Sequence, residues 1–166
     1  MTAMSVGHES LDLAQRCKAR WQALAYRNRT AEWTLYALAF SGLPLIAAFS
    51  ADWQWQRWDL VGHALLGTFG FITLILPFWS SHRRLLLRSR KSFLRMTGRI
   101  TEVLLLVTGA SGYYLILWGN RGGPLGNLVH QAHLIASLGL TLVVMRHAWR
   151  WSVLQPLWKR LGLGAR

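Results

Sequence analysis

A chain of 166 residues has the length of one domain, but 52% hydrophobic residues with a formal net charge of +13 is an odd composition for a soluble globule. The basic residues gather beside apolar runs rather than along one stripe, which points to membrane lipid as a partner and excludes nucleic acid. A single cysteine, Cys17, excludes a disulfide framework and any cysteine-ligated centre.

Residues 1–31 are a basic segment in which Leu13, Cys17, Trp21 and Leu24 recur at helical spacing. That is the pattern of a short amphipathic helix lying on a membrane surface. No signal peptide is expected, because the first apolar run starts after thirty residues and lacks a small-residue cleavage pattern. Four runs without Asp, Glu, Lys or Arg follow, at 33–51, 60–81, 103–120 and 122–145. Each is near the roughly 20 residues that a helix needs to cross about 30 Å of hydrocarbon. Seventeen of the 19 Lys and Arg residues lie before the first run, between the second and third, or after the fourth. Only Arg57 and Arg121 fall in the other two loops, so both termini are expected on the cytoplasmic side. Eight of the ten tryptophans, Trp33, Trp53, Trp55, Trp58, Trp79, Trp118, Trp149 and Trp151, mark the ends of runs, where an amphipathic ring meets the headgroups.

The expected fold is therefore all-α: an integral-membrane four-helix bundle over residues 32–152, N-in and C-in. The amphipathic segment 1–31 precedes it and a cytoplasmic tail at 153–166 follows. A multi-pass protein of the bacterial inner membrane is the expected setting. Short outer loops make sequence neighbours antiparallel, so the second and fourth helices run parallel. Pro44 and Pro77 should bend the first and second helices. Gly42, Gly67, Gly70, Gly109, Gly112 and Gly139 serve either close helix–helix approach or room for a flat macrocycle.

Apart from His8 in the N-terminal segment, every histidine belongs to helix 2 or helix 4. In HQAHLIASLGLTLVVMRH, His133 and His147 are fourteen residues apart, a rise of about 21 Å with a rotation of only about 40°. Both face one groove, one near each end, and imidazole at membrane depth needs a partner. His63 starts helix 2 at the depth of His130 and His133, so His63 and His133 are expected to bind one haem iron as axial ligands. His130 is the alternative ligand or a hydrogen-bonding neighbour. His147 needs a partner at the inner end, where His82 stands, but His63 to His82 spans nineteen residues and about 100° of rotation. On that arithmetic His82 fits poorly, and an interfacial role in the basic loop competes. A non-haem metal held by HQAH competes too, though no Cys or Asp lies near.

With four helices, this topology and the H-x13-H spacing of His133 and His147, residues 30–152 resemble the four-helix di-haem cytochrome b family. Its members include the membrane anchor subunits of formate dehydrogenases and nickel–iron hydrogenases, and small quinol-oxidising cytochromes b. The resemblance implies two haem b groups, one at minimum, with His133 and His147 as the helix 4 ligands and His63 as the helix 2 ligand. The family's remaining ligand sits on helix 1, which here has no histidine, so that place falls to His82 or the site differs.

The resemblance further implies an electron-transfer subunit rather than a complete enzyme, moving electrons between quinone or quinol and a partner redox protein subunit. Arg146, Arg83 and Arg84 could neutralise inner haem propionates, and Arg57 or Arg121 outer ones. Glu102, the carboxylate expected within the membrane, either pairs with Arg99 or exchanges protons with quinone. Tyr113 and Tyr114 read as packing residues. The rival function is a non-redox structural or assembly subunit whose histidines bond helices together.

Overall fold

The computed structural model describes residues 12–17, 19, 28–46, 52–149 and 152–162, and every regular element among them is helical. Residues 12–17 are helical, with Asp12 and Arg16 ion-paired one turn apart. Trp21, Leu24 and His8 lie outside the described residues.

Helix α1 runs Asn28–Gly42 and passes into a 3-10 turn, Leu43–Leu45. It stops where Pro44 withholds a backbone donor. Fifteen residues rise about 22 Å, and residues 47–51, which would complete the first apolar run, lie outside the described residues. Helix α2, Trp53–Gly70, is capped by Asp52, whose side chain accepts from the Gln54 N–H. A π turn, Phe71–Ile75, joins it to α3, Leu76–Arg88. The Leu76 N–H reaches back five residues to the Phe71 carbonyl, immediately before Pro77. The expected disturbance at Pro77 thus takes the form of one wide turn.

Helix α4, Ser92–Trp118, and α5, Pro124–Ala148, are joined by a five-residue turn. Both begin or end beyond their apolar runs; Arg95 and Arg99 occupy the first turns of α4. Helix α6, Gln155–Arg160, is short.

Three stretches are long and apolar enough to cross a membrane: Trp53–Arg84, Ser92–Trp118 and Pro124–Ala148. Their outer surfaces keep large side chains such as Phe69, Val103, Ile135 and Leu142 exposed, a surface suited to lipid rather than water.

Helix α4 packs along α5, α1 packs on both α2 and α5, and α4 also touches α2 and α3. The α2–α3 stretch and α5 therefore approach each other from opposite sides. Between them Ile75, Leu105, Leu140 and Val144 form a buried cluster, flanked by Leu35, Leu38, Phe71, Trp79 and Leu104. Leu140 stands seven residues from both His133 and His147, so this apolar plug separates the two ends of the groove.

The α4–α5 turn depends on Gly119, whose φ of 67° and ψ of 176° is a conformation reserved for glycine. Its N–H still closes α4 onto the Leu115 carbonyl at 2.9 Å. Gly119→Ala is expected to lower stability by about 1–3 kcal/mol, seen as an earlier thermal unfolding transition in detergent. An unchanged transition would contradict this turn.

Candidate functional site

Two pairs of imidazoles face each other between α2–α3 and α5. The rings of His63 and His133 have centroids 6.3 Å apart and planes at 86°. At the other end His82 and His147 stand 5.9 Å apart at 82°. The first, toward the 119–123 turn, is the outer pair, and the second, at the opposite end of the groove, is the inner pair.

The ring nitrogens show what each imidazole can do. Ser41 Oγ lies 2.9 Å from His63 Nδ1, Ser111 Oγ 3.1 Å from His133 Nδ1, and Thr97 Oγ1 2.7 Å from His147 Nδ1. Each hydroxyl spends its own hydrogen on a carbonyl one turn back: Leu38, Val107 and Phe93 respectively. What it offers the ring is a lone pair, so the imidazole proton is assigned to Nδ1. For His133 the Thr108 carbonyl, also 3.1 Å from Nδ1, requires the same tautomer, since a carbonyl can only accept. Nε2 is left as a bare lone pair on three of the four rings.

A glycine accompanies each hydroxyl. A Cβ on Gly42 would stand 3.3 Å from His63 Cε1, and one on Gly112 3.1 Å from His133 Cε1. A similar hydroxyl–glycine dipeptide recurs at Thr97-Gly98, both buried, with Thr97 as the hydroxyl that meets His147. Thr97-Gly98 and Ser111-Gly112 are fourteen residues apart on α4, matching the fourteen between His147 and His133 on antiparallel α5. At His63 and His133 hydroxyl and glycine together form a cradle: one atom fixes the ring's proton, and one absence makes room for the ring. Gly67, Gly70, Gly109 and Gly139 instead lie against Leu38, Thr34, Phe71 and Leu104, which is plain close packing.

The separation suits a shared metal atom. Two nitrogens each about 2.0 Å from one metal stand about 4 Å apart, and the step from nitrogen to ring centre brings the centroids to about 6 Å. That gap is too wide for a hydrogen bond between the rings, and none joins either pair among the described residues. In the outer pair both rings carry their proton on Nδ1, so neither can donate to the other through Nε2. Two donors that could meet the carboxylates of a prosthetic group, Trp79 Nε1 and Thr108 Oγ1, are buried without partners among the described residues. Trp79 lies one turn from His82, and the Thr108 carbonyl already touches His133. Among the described residues no three His, Cys, Asp or Glu side chains gather as a metal cluster.

Several sequence expectations change here. The rotation objection to His82 fails because it assumed an unbroken α-helix. The π turn takes up about one residue without advancing the helix face, and eighteen α-helical steps of about 100° are five full turns. His82 therefore returns to the face of His63, where it meets His147 and stacks on Phe78, centroids 5.1 Å apart. His130 is exposed and makes no ring contact with His63 among the described residues; the partner of His63 is His133.

Glu102 pairs with Arg83 at 3.1 Å, not with Arg99. Arg83 also lies over the Trp79 ring, Arg146 over Phe93 and Arg57 over Trp58, while Arg84 and Arg121 are exposed. Tyr113 donates to the Thr68 carbonyl and packs on Phe71, and Tyr114 stacks on Trp118.

Glu32 escaped the sequence reading because it flanks an apolar run as an ordinary end charge would. It is buried at 5% exposure and accepts from Tyr36 Oη, Ser152 Oγ and the Val153 N–H. The start of α1 is thereby tied to the chain after α5. Comparison with family models, with curated proteins and with solved structures returns no match.

The cradles make unequal demands. Thr97→Val leaves the His147 N–H without an acceptor and should cost about 1–3 kcal/mol. Ser111→Ala should cost less, since His133 keeps the Thr108 carbonyl. Thermal unfolding of both variants checks the order; equal losses would contradict the assigned hydrogen bonds.

Proposed function

We propose that this chain is a multi-pass subunit of the bacterial inner membrane, folded as a four-helix bundle with both termini cytoplasmic. In this reading it binds two b-type haems, one between His63 and His133 and one between His82 and His147. It carries electrons between the quinone pool and a partner redox protein. The observation that carries the reading is that both pairs meet within 0.4 Å of the same separation, 6.3 and 5.9 Å, and in nearly the same crossed orientation, 86° and 82°. Two unrelated packing accidents would not repeat each other at both ends of one groove.

Haem iron bound at each pair would accept and release one electron at a time. The protein's part is to present bare Nε2 atoms, fixed in tautomer by Ser41, Ser111 and Thr97. The apolar plug around Ile75 and Leu140 keeps water from the space between the pairs. Trp79 and Thr108 supply donors for propionates. At the inner end the Arg83–Glu102 pair, beside His82, is the group suited to exchange protons with a bound quinone.

A purely structural subunit could also use imidazole–hydroxyl bonds to tie helices together. It would need only Nδ1, and nothing in that role calls for a second imidazole 6.3 or 5.9 Å away. Colour separates the two. The purified protein is expected to show a Soret band and sharp α bands on dithionite reduction. His63→Ala and His133→Ala should each remove the same half of that absorbance, and His82→Ala and His147→Ala the other half. A colourless protein, or full absorbance in these variants, would refute the reading.

A further inference from the structure

We infer that the outward face of α4, at its inner end, is a binding site for one anionic phospholipid. Arg95 and Arg99 take its phosphate, and Val103, Leu106 and Ala110 take one acyl chain. This rests on the membrane setting proposed above and not on haem.

Helix α4 turns Thr97, Gly98, Leu105 and Ser111 into the bundle. At about 100° per residue, Arg95, Arg99, Val103, Leu106 and Ala110 fall within about 80° of one another on the opposite side. All five are exposed, Val103 at 59% and Leu106 at 49%. The face therefore has two parts, cationic at its inner end and apolar beyond. From Arg99 to Ala110 the helix rises about 16 Å. That is about half of the roughly 30 Å of bilayer hydrocarbon, the reach of the acyl chains of one leaflet.

The chain offers these cations no anion of its own. It has six acidic residues. Asp52 and Asp59 stand at the outer end on α2, and Glu9 and Asp12 belong to the N-terminal segment. Glu32 is engaged by Tyr36, Ser152 and Val153, and Glu102 by Arg83. Neither Arg95 nor Arg99 pairs with a carboxylate among the described residues. Arg84, exposed near the end of α3, adds to the surplus. A phosphodiester supplies the missing charge, and a guanidinium fork meets its two free oxygens with parallel N–H donors. An acidic protein would answer the arginines but not the apolar stretch next to them. A phospholipid answers both, in the order in which the helix presents them.

The test is native mass spectrometry of the purified full-length protein, titrated in detergent with phosphatidylglycerol or with phosphatidylcholine of the same acyl chains. One phosphatidylglycerol is expected to be retained in preference to phosphatidylcholine, and inorganic phosphate should not displace it. Arg95→Gln with Arg99→Gln should weaken that retention roughly 30-fold. Arg95→Lys with Arg99→Lys, which keeps the charge, should restore part of it. Lys159→Gln with Arg160→Gln removes the same charge from exposed positions on α6 and should leave retention unchanged. Equal retention of the two lipids, or an equal loss in the α6 variant, would overturn the site while leaving the membrane setting in place. Poly-glutamate held by the same two arginines and not displaced by phosphatidylglycerol would overturn it in favour of an acidic protein. A chain that stays in solution without detergent would overturn the membrane setting as well.

Discussion

An imidazole enclosed by apolar helices must place its N–H on an acceptor, and most of this structure follows from how that is done. The acceptor is a serine or threonine hydroxyl whose own hydrogen is already committed to its helix. A glycine next to the hydroxyl lets the neighbouring backbone come close enough for the bond to form. Because α4 and α5 are antiparallel, hydroxyl–glycine dipeptides fourteen residues apart on one helix meet histidines fourteen residues apart on the other. One spacing thus sets both ends of the groove, and the register between α4 and α5 is the register of the site.

The hydroxyls engage Nδ1 and leave Nε2 free on His63, His133 and His147, and at each level two rings stand with their planes crossed. Depth in the structure then has a simple order: imidazole pair, apolar plug, imidazole pair. Ile75, at 2% exposure, is the most enclosed large residue among the described residues and lies at the middle of that order. The plug belongs to the same helices as the histidines, so packing energy and site geometry are not separable. A substitution that loosens Leu105 or Leu140 would be felt at both pairs.

Much of this was legible in the residues. Apolar run length located three of the long helices, and the fourteen-residue interval in α5 identified His133 and His147 as sharing a face. The depth argument brought His63 to His133. What failed was arithmetic that treated helix 2 as uniform, since a π turn leaves no distinct mark in hydropathy and Pro77 alone does not reveal it. The partner of Glu102 was missed because a salt bridge between helices depends on side-chain reach, not on sequence distance. The hydroxyl cradles did leave a signal, the repeated Thr-Gly and Ser-Gly at the histidine interval, which becomes meaningful only once α4 and α5 are known to pair in that register. Glu32 left none, because its partners Ser152 and Val153 are 120 and 121 residues away.

In the proposed reading each imidazole pair would hold one haem iron between its two rings. Axial ligands set the electronic state of such an iron, and rings that kept their crossing angles of 86° and 82° on binding it would hold two of its d orbitals close in energy. Low-temperature electron paramagnetic resonance of the oxidised protein tests this most directly. Two low-spin ferric signals are expected, both of the strongly anisotropic kind that crossed imidazoles produce. High-spin ferric iron at either site, or no iron signal at all, would contradict it.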